Sequence, residues 1–223
     1  MINESRQATR TEVFDIENAI VQLESVSGDI EIRESPDGKC HINIFTDSDN
    51  ARNLAEEVEI SVSGNKISVR ARWRATGWKR FFNGGSSEVD FELELPKSAS
   101  LKINAVSADI SLRDIVKSAE INSVSGDVSV LRNPMTGCTV KTVSGDINVH
   151  TFSACEYTLR SISGDITVHV APGLDIDVDG KSLSGDTESE IALSSGRAGN
   201  AENAETVTIN ATTVSGDIYV ARN

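Results

Sequence analysis

The sequence has little of what disulfide bonding, secretion or a membrane span would require. Its 223 residues include three cysteines, Cys40, Cys138 and Cys155, and no Cys-x-x-Cys pair. This count favours buried free thiols in a reducing compartment. No stretch approaches the roughly 18 apolar residues of a membrane-spanning helix, and residues 1–6 lack the apolar run of a signal peptide. These absences predict a cytoplasmic protein, which a partner could bring to a membrane.

Basic residues and familiar catalytic motifs are also scarce. The chain has 21 Lys and Arg against 34 Asp and Glu, so its net charge is −13. A protein of this sign repels phosphate backbones, which argues against nucleic acid as a partner. The sequence contains no Gly-x-Ser-x-Gly elbow and no phosphate-binding P-loop. Neither hydrolase nor nucleotide-binding chemistry is therefore indicated by a motif.

One short motif, an aliphatic residue followed by Ser-Gly-Asp, recurs along the chain. Its full copies are centred on Gly28 with Asp29, Gly126 with Asp127, Gly145 with Asp146, Gly164 with Asp165, Gly185 with Asp186, and Gly216 with Asp217. A degenerate copy has Ala108 and Asp109, and a second reads Ser63-Gly64-Asn65. From Ala108 to Gly185 successive centres are 18, 19, 19 and 21 residues apart. A period near 20 residues indicates stacked structural units.

When the copies are aligned on the central residue, apolar side chains fall into columns five and two residues before it and two and four residues after it. Spacing by two is the strand period. The step of three between the first two columns is odd, so a flat strand would turn one of them outward. We therefore expect a bend or bulge at the intervening small residue, which is Ser25, Ala105, Ser123, Thr142, Ser161, Ser182 or Thr213.

These columns predict an all-β, single-domain parallel β-solenoid, similar to a β-helix, with rungs of about 19 residues and at most one short helix, at residues 50–57. Neighbouring rungs should stack about 4.8 Å apart. The sequence predicts three parts. Residues 1–12 are a disordered N-terminus, and residues 13–95 are the N-terminal part of the solenoid, with a hairpin and an aromatic and basic loop at 70–87. Residues 96–223 are a regular Ser-Gly-Asp solenoid with a loop at 194–205. The unit at 207–220 is expected to close the stack.

The aspartates that follow the central glycines would form a column of like charges. Asp and Ser side chains can accept hydrogen bonds from backbone N–H groups at a turn, and a basic column of Lys141, Arg160 and Lys181 could offset the repulsion. We favour this structural interpretation of the corners over a calcium-binding ladder, because the Gly-Gly-x-Gly-x-Asp repeat of calcium-binding β-rolls is absent. No metal or cofactor is predicted.

The best functional candidate is the stretch 70–82, which holds both tryptophans and five of the 21 basic residues. Exposed aromatics with arginine are typical of binding hot spots, and basic residues beside Trp and Phe suit an anionic membrane surface. The alternative is that the aromatic side chains fold back on the solenoid as a lid. The first interpretation predicts contact with a protein partner or a membrane through Arg72, Trp73, Arg74, Trp78, Lys79, Arg80, Phe81 and Phe82.

Other polar residues offer weaker chemistry. His150 and His169 each lie five residues after a central glycine and should stack about 5 Å apart, but a third metal ligand is not evident. Asp175, Asp177 and Asp179 would have to line a groove if the protein acted on polysaccharides. Because Ser and Asp recur in every unit, they suit a scaffold better than a catalytic site, which needs one convergent set of groups.

The strand at 89–96, the following Leu101-Lys102-Ile103 and the repeated Val-Ser-Gly-Asp-Ile resemble the bacterial DUF4097 family, from about Val13 to Val220. The resemblance implies a right-handed parallel β-solenoid of the kind catalogued as putative adhesins, with no catalytic residues to carry over and a link to envelope stress. It predicts a non-enzymatic interaction scaffold. The alternatives are a polysaccharide-active β-helix enzyme and a structural protein that self-associates through its solenoid ends.

Overall fold

The computed structural model describes residues 7–46, 52–71, 88–132, 134–189 and 206–222. These residues form strands and one helix of six residues, far below the length and hydrophobicity needed to cross a membrane. The elements are β1 Arg10–Phe14, β2 Ile20–Ser27, β3 Ile30–Glu34, β4 Cys40–Thr46, α1 Arg52–Glu57, β5 Glu59–Ser63, β6 Lys66–Arg70, β7 Val89–Leu95, β8 Ser100–Ser107, β9 Ile110–Leu112, β10 Ser118–Ser125, β11 Val128–Val130, β12 Gly137–Ser144, β13 Ile147–Thr151, β14 Glu156–Arg160, β15 Ile166–Val170, β16 Asp175–Ser184, β17 Thr187–Ser189, β18 Thr206–Ser215 and β19 Ile218–Arg222.

The strands form two sheets that face each other across the core. One has the order β1-β4-β7-β3-β9-β11-β13-β15-β19-β17, and the other β16-β18-β14-β12-β10-β8-β2-β6-β5. Each rung takes one strand from each sheet, joined at a corner. Successive rungs are parallel and in register, so Ile121 of β10 lies between Ile103 of β8 and Val140 of β12. This confirms the parallel β-solenoid and shows why equivalent residues share a column.

The aliphatic column two residues before the central glycine faces solvent, contrary to our expectation. Strand β10 runs without interruption to Ser125, with Ile121 and Ser123 buried and Val124 48% exposed. The predicted bend at Ser123 and its counterparts is therefore wrong, because the strand period of two simply continues. The hydroxyl of Ser123 donates to the carbonyl oxygen of Ser125 at 3.0 Å, which satisfies it inside the corner. The chain turns at Ser-Gly-Asp instead.

The N-terminal end of the solenoid is covered by antiparallel strands and the helix. Strand β4 pairs with β1 and β7, and β5 pairs with β6 as the predicted hairpin. Helix α1 lies within the predicted segment 50–57. The Arg10 guanidinium donates to the carbonyl oxygens of Ala55 and Val58, at 3.2 and 2.8 Å. Residues 10–12 are therefore held in β1, so predicted disorder does not extend to them.

The C-terminal unit does not close the stack. Strands β18 and β19 insert between the β14–β15 rung and the β16–β17 rung, which makes β16–β17 the last rung of the described strands. The prediction for 207–220 is therefore wrong. Val207, Ile209 and Ala211 of β18 are fully buried, so they need a rung on each side. Strand β16 instead alternates exposed aspartates with partly buried side chains, as suits an end rung.

Candidate functional site

The corner aspartates are linked from rung to rung by hydrogen bonds. The backbone N–H of Asp127 donates to Oδ1 of Asp109 at 2.9 Å. The same bond, at 2.8 to 2.9 Å, runs from Asp146 to Asp127, from Asp165 to Asp146, from Asp217 to Asp165 and from Asp186 to Asp217. We call this row the aspartate ladder: Asp109, Asp127, Asp146, Asp165, Asp217 and Asp186. The first five carboxylates each accept a bond from a backbone donor that the turn would otherwise leave exposed.

The row of carboxylates extends to a residue outside the recognised motif. The backbone N–H of Asp29 donates to Oδ1 of Asp90 at 2.9 Å, and a Cβ atom on Gly28 would lie 2.2 Å from the Val89 carbonyl oxygen. Val89 and Asp90 therefore hold the corner positions of the β6–β7 rung. The signal was present in the sequence, since Asp-Phe-Glu-Leu from Asp90 matches Asp-Ile-Glu-Ile from Asp29.

The central glycines are required for two reasons. Gly145 has φ +149°, and a Cβ atom there would lie 2.2 Å from the carbonyl oxygen of Gly126. Gly126 has φ +108° and the same closeness to the Ala108 carbonyl oxygen. Ala108 itself is not among the positive-φ residues, since Asn18 is the only such non-glycine in the part of the chain that is described. Its corner therefore has a different backbone, without the strain of a left-handed alanine.

Basic side chains of the described residues do not neutralise the aspartate ladder. Among the described residues, no lysine or arginine forms an ion pair within 4 Å of these six carboxylates. Lys181 pairs instead with Asp179, at 2.7 Å between Nζ and Oδ2. The expected pairing with Lys141, Arg160 and Lys181 is therefore wrong. Backbone hydrogen bonds hold the ladder together, and its charges face solvent.

A row of exposed aliphatic side chains runs beside the ladder on the same corner. Its members are 42 to 51% exposed except at the end rung, where the value is 83%. In spatial order this aliphatic stripe consists of Val106, Val124, Val143, Ile162, Val214 and Leu183. Since neighbouring strands lie about 4.8 Å apart, its five steps cover about 24 Å. Sequence patterning alone assigned these residues to the core.

The predicted contact residues Arg72, Trp73, Arg74, Trp78, Lys79, Arg80, Phe81 and Phe82 lie outside the described residues, as does the predicted loop 194–205. The structure shows only where the first segment leaves and returns. The N–H of Ala71 donates to the Glu24 carbonyl oxygen at 2.9 Å, and Arg70 Nε lies 3.3 Å from Glu24 Oε2. The chain returns just before Val89, so the segment departs and re-enters at the corner of the β6–β7 rung.

A second charged cluster sits beside the ladder, on the outer face of the other sheet. Glu31 of β3 is 2% exposed and forms ion pairs with Arg113 and with Arg33, whose Nη2 lies 2.8 Å from Oε1. Arg33 Nε also lies 3.6 Å from Glu92 Oε2. Burial raises the pKa of Glu92, while Arg33 acts against this rise. These groups neutralise one another beside a groove of about 420 Å³, and none is an activated nucleophile.

The histidine pair forms as predicted. His150 of β13 and His169 of β15 are in register, with their ring centroids 4.7 Å apart. Burial and the neighbouring His169 both lower the pKa of His150. Within the described ranges, no group of three metal-ligating side chains comes together. The pair therefore lacks the third ligand that a zinc site would take from the protein.

The three cysteines are buried and unpaired. Burial raises the pKa of Cys40 and Cys155 to about 11, and raises the pKa of Cys138 still further. Since the thiolate is the reactive form, these side chains are inert near neutral pH.

The three aspartates that an enzyme would need in a groove lie elsewhere. Asp175, Asp177 and Asp179 are exposed on the outer face of β16, the edge strand of its sheet. Asp179 already pairs with Lys181. Charged side chains on an edge strand discourage pairing with further strands, which gives these residues a structural use.

The solenoid is similar to known proteins over nearly its whole length. A putative cell adhesion protein from Clostridium sporogenes has a TM-score of 0.55 at 9% identity, over 96% of this chain and 99% of that chain. A putative adhesin from Bacteroides fragilis has a TM-score of 0.48 at 11% identity, over 100% of both chains. A search of curated proteins returned no significant match.

A family model described as Toastrack DUF4097 matches the sequence twice, over residues 18–122 and 99–221. The two matches overlap and together span both the irregular N-terminal rungs and the regular Ser-Gly-Asp rungs. The fold and the matched residues agree, and the chain therefore belongs to the DUF4097 (Toastrack) family.

Proposed function

We propose that the protein is a non-enzymatic interaction scaffold of adhesin-like type, in which a rigid solenoid presents a repeated surface to a partner. The observation that carries this proposal is the corner itself, where six neighbouring rungs each expose one aliphatic side chain beside one carboxylate. A surface that repeats at a fixed spacing suits recognition of an extended partner. Exposed apolar rows of this kind mark interaction sites in soluble proteins.

The chemistry of the recurring polar residues supports binding rather than catalysis. The hydroxyls of Ser25 and Ser123 donate to corner carbonyl oxygens, at 3.1 and 3.0 Å. The aspartates accept backbone N–H groups of the next rung. Aspartates that are engaged in this way in rung after rung are not the single convergent set that a reaction needs. The putative adhesin names of the structural neighbours agree with an interaction role.

The segment 70–82 remains the predicted second contact, to a protein partner or a membrane surface, and a link to bacterial envelope stress and a cytoplasmic location remain predictions. A pull-down from bacterial lysate tests the segment, comparing wild type with the double variant Trp78→Ser, Phe82→Ser. A matched control is Phe152→Ser, which alters a phenylalanine 54% exposed elsewhere. We expect the double variant to lose the captured protein while its melting temperature stays within about 2 °C.

The outcomes of this experiment separate the alternatives. A large fall in melting temperature in the double variant would favour aromatic side chains that cover the solenoid. Release of sugar from a polysaccharide panel by the wild-type protein would favour the enzyme and overturn the scaffold. If the double variant captures the protein as well as wild type does, the segment 70–82 is excluded as the contact site.

Self-association is a second candidate because, among the described strands, none covers the outer side of the last rung. Strand β16 has ten residues and pairs only with β18 among the described strands. Its Ile176 and Val178 pack on the core but remain partly exposed. Sedimentation velocity over a hundredfold concentration range tests this role: a rising sedimentation coefficient would support it, and a constant monomer value would exclude it.

A further inference from the structure

We propose that the aliphatic stripe and the aspartate ladder beside it together bind a basic amphipathic helix of a protein partner. This inference rests on the proposed scaffold function and names the chemistry of the partner. The stripe would contact the apolar face of the helix, and the ladder would contact lysines or arginines along one flank.

The apolar half of the surface is confined to a single position in each rung. All six stripe positions hold Val, Ile or Leu. Two residues earlier, the neighbouring outward positions of the same rungs are polar: Asn104, Asn122, Lys141, Arg160, Thr212 and Lys181. β-Strand preference alone would place β-branched residues, including threonine, at both positions. The contrast defines a continuous apolar row, which recognition explains and strand formation does not.

The negative charge beside this row determines the sign of the charge that a partner must carry. On each rung the ladder carboxylate lies three residues beyond the stripe residue. Within the described ranges, its six members have no ion pair with a basic side chain. The backbone bonds use Oδ1 and leave the negative charge in place. An occupant must therefore bring cations, whereas an anionic membrane surface or a nucleic acid would be repelled.

The spacing of the rungs favours a helix over an extended peptide. One helical turn advances 5.4 Å, whereas one rung advances about 4.8 Å. Successive turns of a helix lying along the stripe are therefore displaced from successive rungs by about 0.6 Å per rung, or about 3 Å over five steps. This is less than one rung. Same-face residues of an extended strand repeat every 6.6 to 6.8 Å and drift about 10 Å over the same distance, or two rungs. The stripe's length of about 24 Å corresponds to about 16 helical residues.

The opposite flank of the stripe gives the helix a direction. Near the end rung this flank carries Lys141, Arg160 and Lys181, whereas the corresponding positions on the first rungs of the stripe are Asn104 and Asn122. A matching helix carries Lys or Arg along the whole ladder flank and Asp or Glu on the other flank, over the half nearest β16. The reversed charge order would place like charges together.

A designed peptide probes this surface directly. The probe is an 18-residue helix with leucines along one face, lysines along one flank and glutamates on the other flank over one half. The stripe variant is Val124→Thr, Val143→Thr, Ile162→Thr, which retains β-branched side chains. The ladder variant is Asp127→Asn, Asp146→Asn, Asp165→Asn, which keeps each Oδ1 acceptor. The matched control is Val62→Thr, because Val62 is 46% exposed in β5, away from the corner.

We expect isothermal titration calorimetry to show binding to wild type and to Val62→Thr, with at least tenfold weaker binding to the stripe variant. The ladder variant should also bind weakly and lose the salt dependence seen with wild type. All proteins should have similar circular dichroism and melting temperatures. The designed peptide should bind more tightly than one in which the lysines and glutamates are exchanged.

Equal binding to wild type and the stripe variant would overturn the proposal, as would preference for the charge-exchanged peptide. Loss of a concentration-dependent dimer in the stripe variant would instead assign the surface to a second copy of the chain. Binding to anionic phosphatidylserine vesicles that depends on the stripe would assign it to lipid. If the stripe variant still captures the lysate partner of the wild-type protein, the helix assignment fails while the scaffold function stands.

Discussion

The backbone N–H of Asp165 donates to the Oδ1 atom of Asp146 at 2.9 Å, on the next rung of the solenoid. A carboxylate on one rung thereby holds the corner of its neighbour, and the bond repeats along the ladder. This arrangement explains how stacked aspartates persist despite their mutual repulsion, because five of the six accept a hydrogen bond from a turn donor on the neighbouring rung.

Two substitutions at Asp146 should separate its charge from its hydrogen bond. Asp146→Asn keeps an Oδ1 acceptor and removes one of the repelling charges, so we expect the free energy of unfolding to stay equal or rise. Asp146→Ala removes the acceptor for the Asp165 N–H and should cost about 1 kcal/mol. Urea unfolding measures both variants. A larger loss in the asparagine variant than in the alanine variant would contradict the role given to the bond.

Two glycines of strand β12 and its corner should differ sharply in their tolerance of alanine. A Cβ atom at Gly145 would lie 2.2 Å from the Gly126 carbonyl oxygen, at φ +149°. Gly145→Ala should therefore lower the free energy of unfolding by about 3 kcal/mol or more. Gly137 has only the Glu156 carbonyl oxygen nearby, at 3.6 Å, so Gly137→Ala is the matched control and should be close to neutral. Similar melting temperatures for the two variants would refute the crowded corner.

The histidine pair should make stability depend on pH below about 6.5. Burial and His169 lower the pKa of His150 in the folded chain, so the unfolded chain binds the proton more readily. The contribution of His150 to the free energy of unfolding is therefore fully present above its pKa in the unfolded chain, about 6.5. This contribution is lost as the pH falls below that value. Melting temperatures of wild type and His150→Gln between pH 7.5 and 5 test this, because other titrating groups are common to both. The variant should show the flatter profile; parallel profiles would exclude the effect.

The sequence predicted the architecture because the solenoid repeats its local chemistry. Spacing of two around Gly126 and Gly145 indicated strands, and the period near 20 residues indicated stacking. The helix at 52–57 and the hairpin around Gly64 followed from local signals of the same kind. Each of these features depends on residues that are neighbours in the chain.

The surface of the corner was harder to predict, because exposure depends on where the chain turns. Val124 and Ile121 are both aliphatic and differ by an odd step, so a pattern alone could not decide which one faced the core. The structure places the turn at Ser-Gly-Asp, and Val124 consequently faces solvent. The sequence pattern therefore assigned the aliphatic stripe to the core, whereas the position of the turn exposes it.

The sequence by itself determined that the rungs are parallel and that their glycines and aspartates lie in rows, since repeated residues make repeated backbone conformations. Only the tertiary structure decided the order of the last two rungs and the place of Asp90 in the row of carboxylates. Both depend on pairing between residues far apart in the chain. Val207 and Ile209 are buried because β18 has a strand on each side, and the carbonyl oxygen of Val89 lies against Gly28 in the next rung. These contacts determine the pairing.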